Sequence, residues 1–401
     1  MADCQNILTD LRSFAVPRAA IDALLKARAD AVTIGAYLKL AAHTDASGEY
    51  SSASTTAIQN AVGGGKDRFN RQRAANAIAT LGNIRPTVDA PKNKRKRGAI
   101  DSTNPAHILP SPPLIYTREA WLRERGGELP DGPTERGKIR HVLSAFDESL
   151  VDRVWFGGGL VFGDGVDGWF PNPLQQLKNC GDVAARLLLA MYAGQDLDRW
   201  FGIPPHQFPW QYYKLSETSH GQFSLLRGRS SSMVAPPDLW NRISNGNSNA
   251  CFEALKFLLA AGFLYEMVVL LNRNPLPAKF STGDPYGYIP GDAEILCDLG
   301  NTSHFKPVQP EIEQGLGAHY RDTVKALRWE EHPDDYVAII PTGSPAMIAG
   351  LYRLRFRVTN HRNAYVKTAE RTRLDANAAA LRQLNYIRKA NLLDELPRTL
   401  Q

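Results

Sequence analysis

Basic side chains are concentrated in one stretch of this 401-residue chain. The whole chain has a net charge of +6, and the part that follows Asp101 is balanced. The segment from Lys66 to Arg97 contains ten lysine or arginine residues against two acidic ones, Asp67 and Asp89. A positive stretch this focused is the electrostatic footprint of a protein that binds a phosphate backbone. The first chemistry that the sequence indicates is therefore recognition of a polyanion.

A predicted helix from Asp67 to Leu81 carries side chains that are able to read the edges of base pairs. Arginine pairs with guanine through two hydrogen bonds, and glutamine or asparagine pairs with adenine in the same way. Helical periodicity predicts that one face of this helix contacts the core through Phe69, Ala74, Ala77, Ile78 and Leu81. The outward side chains and their neighbours are the predicted DNA contacts: Lys66, Arg68, Arg71, Gln72, Arg73 and Asn76.

The stretch that follows this helix predicts a β-hairpin with a basic tip. Ile84 to Val88 has the composition of a strand, PKNKRKRG that of a loop, and Ala99 to Ile100 that of a return strand. Such a hairpin is a wing, which contacts phosphates or the minor groove. A solvated or nuclear-localisation-like charge run is the alternative for the same residues. The wing residues predicted to contact DNA are Lys92, Lys94, Arg95, Lys96 and Arg97.

The other patterns with chemical potential do not form a recognised catalytic or cofactor site. The GGGK at Gly63 to Lys66 lacks the residues of a phosphate-binding loop, and GGGLVFGDG from Gly157 to Gly165 lacks dinucleotide spacing. The nine histidines form no HExxH, the four cysteines form no CxxC, and no GxSxG nucleophile elbow occurs. We therefore expect no cofactor, no metal and no catalytic residues, although catalytic groups distant in sequence would leave no motif.

Three helices are predicted before the candidate DNA-reading helix. Ala19 to Ala29 and Val32 to Ala42 carry apolar residues at three-and-four spacing, which gives each one a buried face. Ser54 is the predicted N-cap of a short helix from Thr55 to Val62, and the glycines after Val62 end it. Two short helices joined by a glycine turn, the second of them basic, are typical of a helix-turn-helix.

A proline-rich stretch, NPAHILPSPP, separates this region from a second one. Its four prolines cannot continue a helix or a central strand, so we assign residues 105–135 to a linker. It joins an N-terminal winged-helix domain, residues 1–104, to a second winged-helix-like domain, residues 136–305. The predicted elements of the second domain are the helices Leu174 to Ala193, Asp238 to Ile243 and Asn249 to Ala261, the strand FLYEMVVLL and its pairing strand Ala293 to Leu299.

The remaining residues, 306–401, are predicted to form an α/β extension. Strands are expected at Val337 to Pro341 and at Leu351 to Val358, and a long helix from Ala364 to Leu393. Alternation along the second strand puts three arginines on one face, as a possible second basic surface for phosphates or for an acidic partner. Basic side chains that protect a sheet edge are the alternative. These arginines are Arg353, Arg355 and Arg357.

The composition is that of an ordinary globular protein. A hydrophobic content of 43% with 22% charged residues argues against disorder of the chain as a whole. No uncharged apolar run approaches the roughly eighteen residues of a membrane span, and the first residues lack the pattern of a signal peptide. We therefore expect a cytoplasmic protein that does not contact a membrane.

The helix–glycine–helix–wing block from Ser54 to Ile100 resembles bacterial winged-helix transcription regulators. The two-module layout is similar to the tandem winged helices of plasmid replication initiators. The fold expected is α+β, mainly α, with two winged-helix modules plus a C-terminal helical region. The function expected is sequence-specific binding of double-stranded DNA by a bacterial or mobile-element transcription regulator, a homodimer or partner complex held by the second module and the C-terminal helix. A replication initiator, or a non-catalytic adaptor in a defence or partition complex, is the alternative.

Overall fold

The computed structural model describes residues 13–44, 48–63, 68–86, 112–125, 139–144, 153–163, 172–196, 200, 202–220, 223–234, 236–272, 293–298, 335–341 and 346–356. These residues form α-helices and antiparallel sheets, which confirms a mixed α and β fold. No described helix is long and apolar enough to cross a membrane. The described residues fall into two compact units: unit 1, within Met1–Ala193, Arg242–Ala261 and Phe356–Val358, and unit 2, within Gly194–Asn241, Gly262–Arg355 and Thr359–Gln401.

Unit 1 contains the four helices that the sequence predicts at its start. Asp30 caps the second helix by accepting a hydrogen bond from the Thr33 N–H, and Ser54 Oγ accepts one from the Ala57 N–H at the start of the third. Ser54 is thus confirmed as the N-cap. The four helices are α1 (Arg18–Lys26), α2 (Ala31–Ala41), α3 (Thr55–Gly63) and α4 (Arg68–Asn83).

A small antiparallel sheet follows these helices, and its strands differ from the predicted wing strands. Ile84–Pro86, the described part of the predicted strand Ile84 to Val88, is not in a strand. The next strand after α4 begins only at Ile115. This position lies within residues 105–135, which we assigned to a linker because of their prolines and glycines. The sheet has the order β2-β4-β3, with β2 (Tyr50–Ser51), β3 (Ile115–Thr117) and β4 (His141–Leu143), and α5 (Arg118–Arg125) follows β3.

The rest of unit 1 is a strand pair and a set of helices. The helix predicted from Leu174 to Ala193 is two helices, because Gly181, with a φ of +95°, ends the first of them. Antiparallel pairing joins β1 (Phe14–Pro17) to β5 (Arg153–Phe156). The remaining helices of this unit are α6 (Gly159–Phe162), α7 (Pro173–Cys180), α8 (Asp182–Gly194) and α10 (Ser248–Ala260).

Unit 2 is built on a six-stranded antiparallel sheet in the order β10-β7-β6-β11-β8-β9. One face of this sheet buries an apolar cluster that includes Trp200, Trp210 and Val269. The pairing of β8 with β9 and the strand that ends at Pro341 were both predicted and are confirmed. The long β6–β7 hairpin was not predicted. The strands are β6 (Trp210–His220), β7 (Phe223–Val234), β8 (Leu264–Asn272), β9 (Glu294–Asp298), β10 (Asp335–Pro341) and β11 (Ala346–Leu354).

Two sequence predictions differ from this arrangement. The elements of the predicted second module are divided, because α10 belongs to unit 1 whereas β8 and β9 belong to unit 2, where β11 lies beside β8. The helix predicted from Asp238 to Ile243 is confirmed as α9 (Pro237–Ser244), which precedes α10. The predicted arginine face is wrong for Arg353, which is only 8% exposed, whereas Arg355 is exposed and follows the end of β11. Arg357 and the predicted C-terminal helix lie outside the described residues.

Candidate nucleic-acid interface

The inner face of α4 is fixed by close packing against α2 and α3. Asn70, Ala74, Ala77 and Leu81 are buried, and their spacing of four, three and four residues places them on one side of the helix. Gly63, the last residue of α3, allows the approach: a Cβ there would lie 2.8 Å from the Cβ of Asn70. The two helices of the predicted helix-turn-helix are therefore packed tightly where one ends and the next begins.

The outer face of α4 displays the polar residues that the sequence singles out. Arg71, Gln72, Arg73 and Asn76 are all exposed. The Gln72 side-chain Nε2 donates a hydrogen bond to Asn76 Oδ1 at 2.9 Å, so the two amides are linked along the helix. Because Arg68–Asn83 contains no aspartate or glutamate, the charge that this face presents is wholly positive.

The position of Phe69 on α4 differs from the prediction. It was expected in the core, but 79% of it is exposed, and Asn70 is buried in its place. The reason is the phase of the helix: counting back four residues from Ala74 gives Asn70, and Phe69 then points about 100° away from the buried face. A large apolar side chain therefore lies on the outside of the helix, beside the arginines and the amides.

Other predicted contacts fall partly or wholly outside the described residues. The backbone of Arg68 begins α4, whereas Lys66 lies outside the described part of the chain. The basic run from Lys92 to Arg97 lies outside it as well. Its flanking chain is described: the Leu114 N–H donates to the Ile84 carbonyl at 3.0 Å, so the chain departs and returns at the C-terminal end of α4.

One cation near the C-terminal end of α3, Lys178, was not predicted. This lysine is on α7, and its Nζ lies 3.5 Å from the carbonyl oxygen of Gly63, at the C-terminal end of α3. A cation is favourable at that end of a helix dipole. No local pattern could have found it, because the two residues are 115 positions apart in the sequence.

The connection between β3 and β4 adds exposed basic residues to the same unit. Arg123, on α5, and Arg140, just before β4, are both exposed. α5 is held against the sheet by Trp121, whose ring makes an edge-to-face contact with Tyr116 at a centroid distance of 5.3 Å. The buried His141 ring, on β4, makes a hydrogen bond with the Ala53 carbonyl oxygen through Nδ1 at 3.1 Å, and burial lowers the pKa of His141.

Two clusters elsewhere contain perturbed titratable groups. In unit 1 the Lys39 ammonium lies 4.7 Å from the centre of the Phe162 ring, and burial lowers the pKa of Lys39 to about 8. In unit 2 the Tyr213 hydroxyl donates to Glu266 at 3.0 Å, and burial raises the pKa of Glu266. Among the described residues, no group of three histidine, cysteine, aspartate or glutamate side chains is placed to hold a metal ion.

Comparison of the chain with protein-family models, curated proteins and solved structures finds no match.

Proposed function

We propose that the segment from α2 to β4 is a winged-helix domain that binds double-stranded DNA in a sequence-specific manner, with α4 in the major groove. The observation that carries the proposal is the outer face of α4, where Arg71, Gln72, Arg73 and Asn76 are exposed on a helix without acidic residues. A single α-helix fits the major groove, which is about 12 Å wide.

The order of elements supports the winged-helix assignment. A helix, a short strand, two helices and two further strands follow one another, and the strands form a three-stranded antiparallel sheet in the order β2-β4-β3. In a winged helix, the third helix is the recognition helix and the connection between the last two strands is the wing. By this correspondence α4 is the recognition helix, and the wing is the β3–β4 connection, not the run from Lys92 to Arg97.

The basic run keeps a second role in the proposal. Because its flanking residues meet at Ile84 and Leu114, it is joined to the C-terminal end of α4. A basic segment attached there is able to follow the phosphate backbone beyond the recognition helix. The basic run then contributes affinity for DNA but no base specificity, which comes from α4.

The first experiment is selection of random duplex DNA by the full-length protein, followed by titration of the enriched duplex. Wild-type protein is compared with the Arg71→Ala/Arg73→Ala double variant and with a quintuple alanine variant at 92 and 94–97. Arg242→Ala, which removes another exposed arginine on α9, is the matched control. We expect the double variant to bind at least about tenfold more weakly and the quintuple variant to have a salt slope shallower by several units.

The outcomes separate the alternatives. An enriched motif that requires Arg71 and Arg73 supports sequence-specific recognition by α4. Binding that falls steeply with salt, with no enriched motif, indicates the sequence-independent adaptor instead. If duplex DNA is not bound at low salt, or if the α4 double variant binds like the Arg242→Ala control, the proposed interface is wrong.

Regulator and replication initiator differ in the extent of DNA that they cover. A dimeric regulator with one recognition helix per chain protects two half-sites about one helical turn apart. An initiator that uses two modules per chain protects a longer stretch. The proposed winged helix covers α2 to β4 alone, because α9, α10, β8 and β9 are divided between the two units. A footprint of two half-sites is therefore the result that we expect.

A further inference from the structure

Three exposed side chains form a stripe along α4. Phe69, Gln72 and Asn76 are separated by three and four residues, so they lie within about 60° of one another around the helix axis. Along the axis, the stripe extends roughly 10 Å, which matches about three base pairs at 3.4 Å each. The stripe combines an apolar ring with two linked amides, and neither group carries charge.

The linked amides have a defined hydrogen-bonding pattern. Because Gln72 Nε2 donates to Asn76 Oδ1, the Gln72 Oε1 acceptor and the Asn76 Nδ2 donor are directed elsewhere. Adenine presents the complementary pair in the major groove, an N6 donor and an N7 acceptor. Guanine presents two acceptors there, so it leaves the Gln72 oxygen without a donor.

The exposed ring has a matching partner on the same kind of base pair. Thymine is the only base that presents a methyl group in the major groove, and phenylalanine is among the side chains that contact it. Phe69 is 79% exposed in the free protein, so contact with a methyl group buries apolar surface that water otherwise covers.

We propose that α4 reads A·T base pairs, with the Gln72–Asn76 amide pair on adenine and Phe69 on the methyl group of a neighbouring thymine. This inference rests on the proposed function, because it assumes that α4 enters the major groove. It adds the class of DNA sequence that the helix selects. Arg71 and Arg73, on the two flanks of the stripe, then serve phosphates or flanking guanines.

The test uses base analogues in the selected duplex. Each thymine is replaced in turn by uracil, which lacks the methyl group, and each adenine by 7-deazaadenine, which lacks the N7 acceptor. For wild-type protein we expect one uracil substitution to weaken binding about fourfold. One 7-deazaadenine substitution next to it should weaken binding about fivefold or more.

Variants connect each analogue to its side chain. Phe69→Ala should bind the thymine and uracil duplexes equally, and Gln72→Ala or Asn76→Ala should bind the adenine and 7-deazaadenine duplexes equally. Phe257→Ala and Asn179→Ala, which remove an exposed phenylalanine and an exposed asparagine from α10 and α7, are the matched controls and should keep the wild-type sensitivities.

The result that overturns this inference is distinct from failure of the proposed function. If DNA binding requires Arg71 and Arg73 but every uracil and 7-deazaadenine duplex binds within twofold of the parent, α4 is an interface that does not read A·T pairs. If the protein does not bind duplex DNA at all, both proposals are wrong.

Discussion

Asp182 and Arg186, one turn apart on α8, hold the two sides of the turn that joins α1 to α2. Asp182 Oδ1 accepts a hydrogen bond from the Ala31 N–H at 2.9 Å, at the positive end of the α2 dipole. Arg186 Nη1 donates to the carbonyls of Arg28 and Ala29 at 3.3 and 3.2 Å, just beyond the end of α1. α2 in turn packs against α4, so these hydrogen bonds of Asp182 and Arg186, which we call the clamp, support the helix that we propose as the recognition helix.

Arg186→Ala should destabilise unit 1. The guanidinium also donates to the Ile243 carbonyl at 3.0 Å, so its removal leaves three carbonyl oxygens without this donor. We expect the free energy of unfolding to fall by about 1 to 3 kcal/mol. Urea unfolding followed by far-ultraviolet circular dichroism measures it, because most described helices lie in unit 1. Arg242→Ala is the control, and a loss no greater than that of the control would contradict the clamp.

Two glycines of the glycine-rich segment have a packing role. A Cβ at Gly157 would lie 2.6 Å from the Phe356 carbonyl oxygen, which accepts a hydrogen bond from the Gly157 N–H at 2.9 Å. At Gly159, a Cβ would lie 2.5 Å from the Phe356 ring. Gly157→Ala should therefore cost about 1 to 3 kcal/mol of stability, since backbone must shift to admit the methyl group.

Gly82→Ala is the matched control for this prediction. Its Cβ would meet nothing closer than the Ile115 carbonyl oxygen at 4.0 Å, near the end of α4. Without a clash, the better helix propensity of alanine should leave stability unchanged or raise it by up to about 1 kcal/mol. Equal urea midpoints for Gly157→Ala and Gly82→Ala would contradict the close approach of Phe356 to Gly157.

Removal of the hydroxyl group should change the stability of the protein in opposite directions at two buried tyrosines. The Tyr37 hydroxyl is buried and has no hydrogen-bond partner among the described residues, whereas the Tyr192 hydroxyl donates to the Phe356 carbonyl at 3.0 Å. We expect Tyr37→Phe to be neutral or stabilising, because an unsatisfied buried hydroxyl is unfavourable. Tyr192→Phe should cost about 1 to 2 kcal/mol. Thermal unfolding of the pair measures the difference, and a larger loss for Tyr37→Phe would contradict it.

Burial of His141 predicts a loss of stability in acid. Burial lowers the pKa of this imidazole most, and the charge of Arg140 lowers it further. The hydrogen bond with the Ala53 carbonyl and the charge of Glu119 raise the pKa in part. Below the unfolded-state pKa of about 6.5, the unfolded chain binds a proton that folded His141 does not. The free energy of unfolding therefore falls as the pH drops below about 6.5 toward the folded pKa, by at most about 1.4 kcal/mol per pH unit for this proton.

His141→Asn tests this prediction, because its side-chain amide is still able to donate to the Ala53 carbonyl but does not titrate. Urea unfolding is compared between pH 7.5 and pH 5.5, and the variant should lose less stability than the wild type over that interval. Equal losses in the two proteins would show that His141 is not the group responsible.

Much of the helical part of unit 1 was predictable from the sequence. The apolar spacing before Ala42, the Ser54 cap and the glycines after Val62 are interactions between residues within one or two turns. The exposed positions of Arg71, Gln72 and Asn76 follow from the same periodicity, and so does the concentration of positive charge. The orientation of Phe69 was missed because its apolar side chain was assigned to the core, although the spacing of Ala74, Ala77 and Leu81 places Asn70 on the buried face.

The strands were less predictable, for physical reasons that differ between them. β2, β3 and β4 are two or three residues long, so they contain no alternation to detect, and they pair only because distant segments meet. The β6–β7 hairpin does carry a signal, since both of its strands contain aromatic and β-branched residues, but this signal was overlooked. Arg353 is only 8% exposed, and a Cβ at Gly202 would lie 2.9 Å from its Cγ, so a distant segment packs on this side chain, which alternation along one strand does not reveal.

The helices in the first part of the chain and the location of its positive charge follow from local sequence features, because caps, glycines and periodicity act between near neighbours. Strand pairing and the support that Lys178, Asp182 and Arg186 give to the N-terminal helices follow only from how distant segments pack. These contacts join residues more than a hundred positions apart. They depend on how whole elements pack, and no local pattern encodes that.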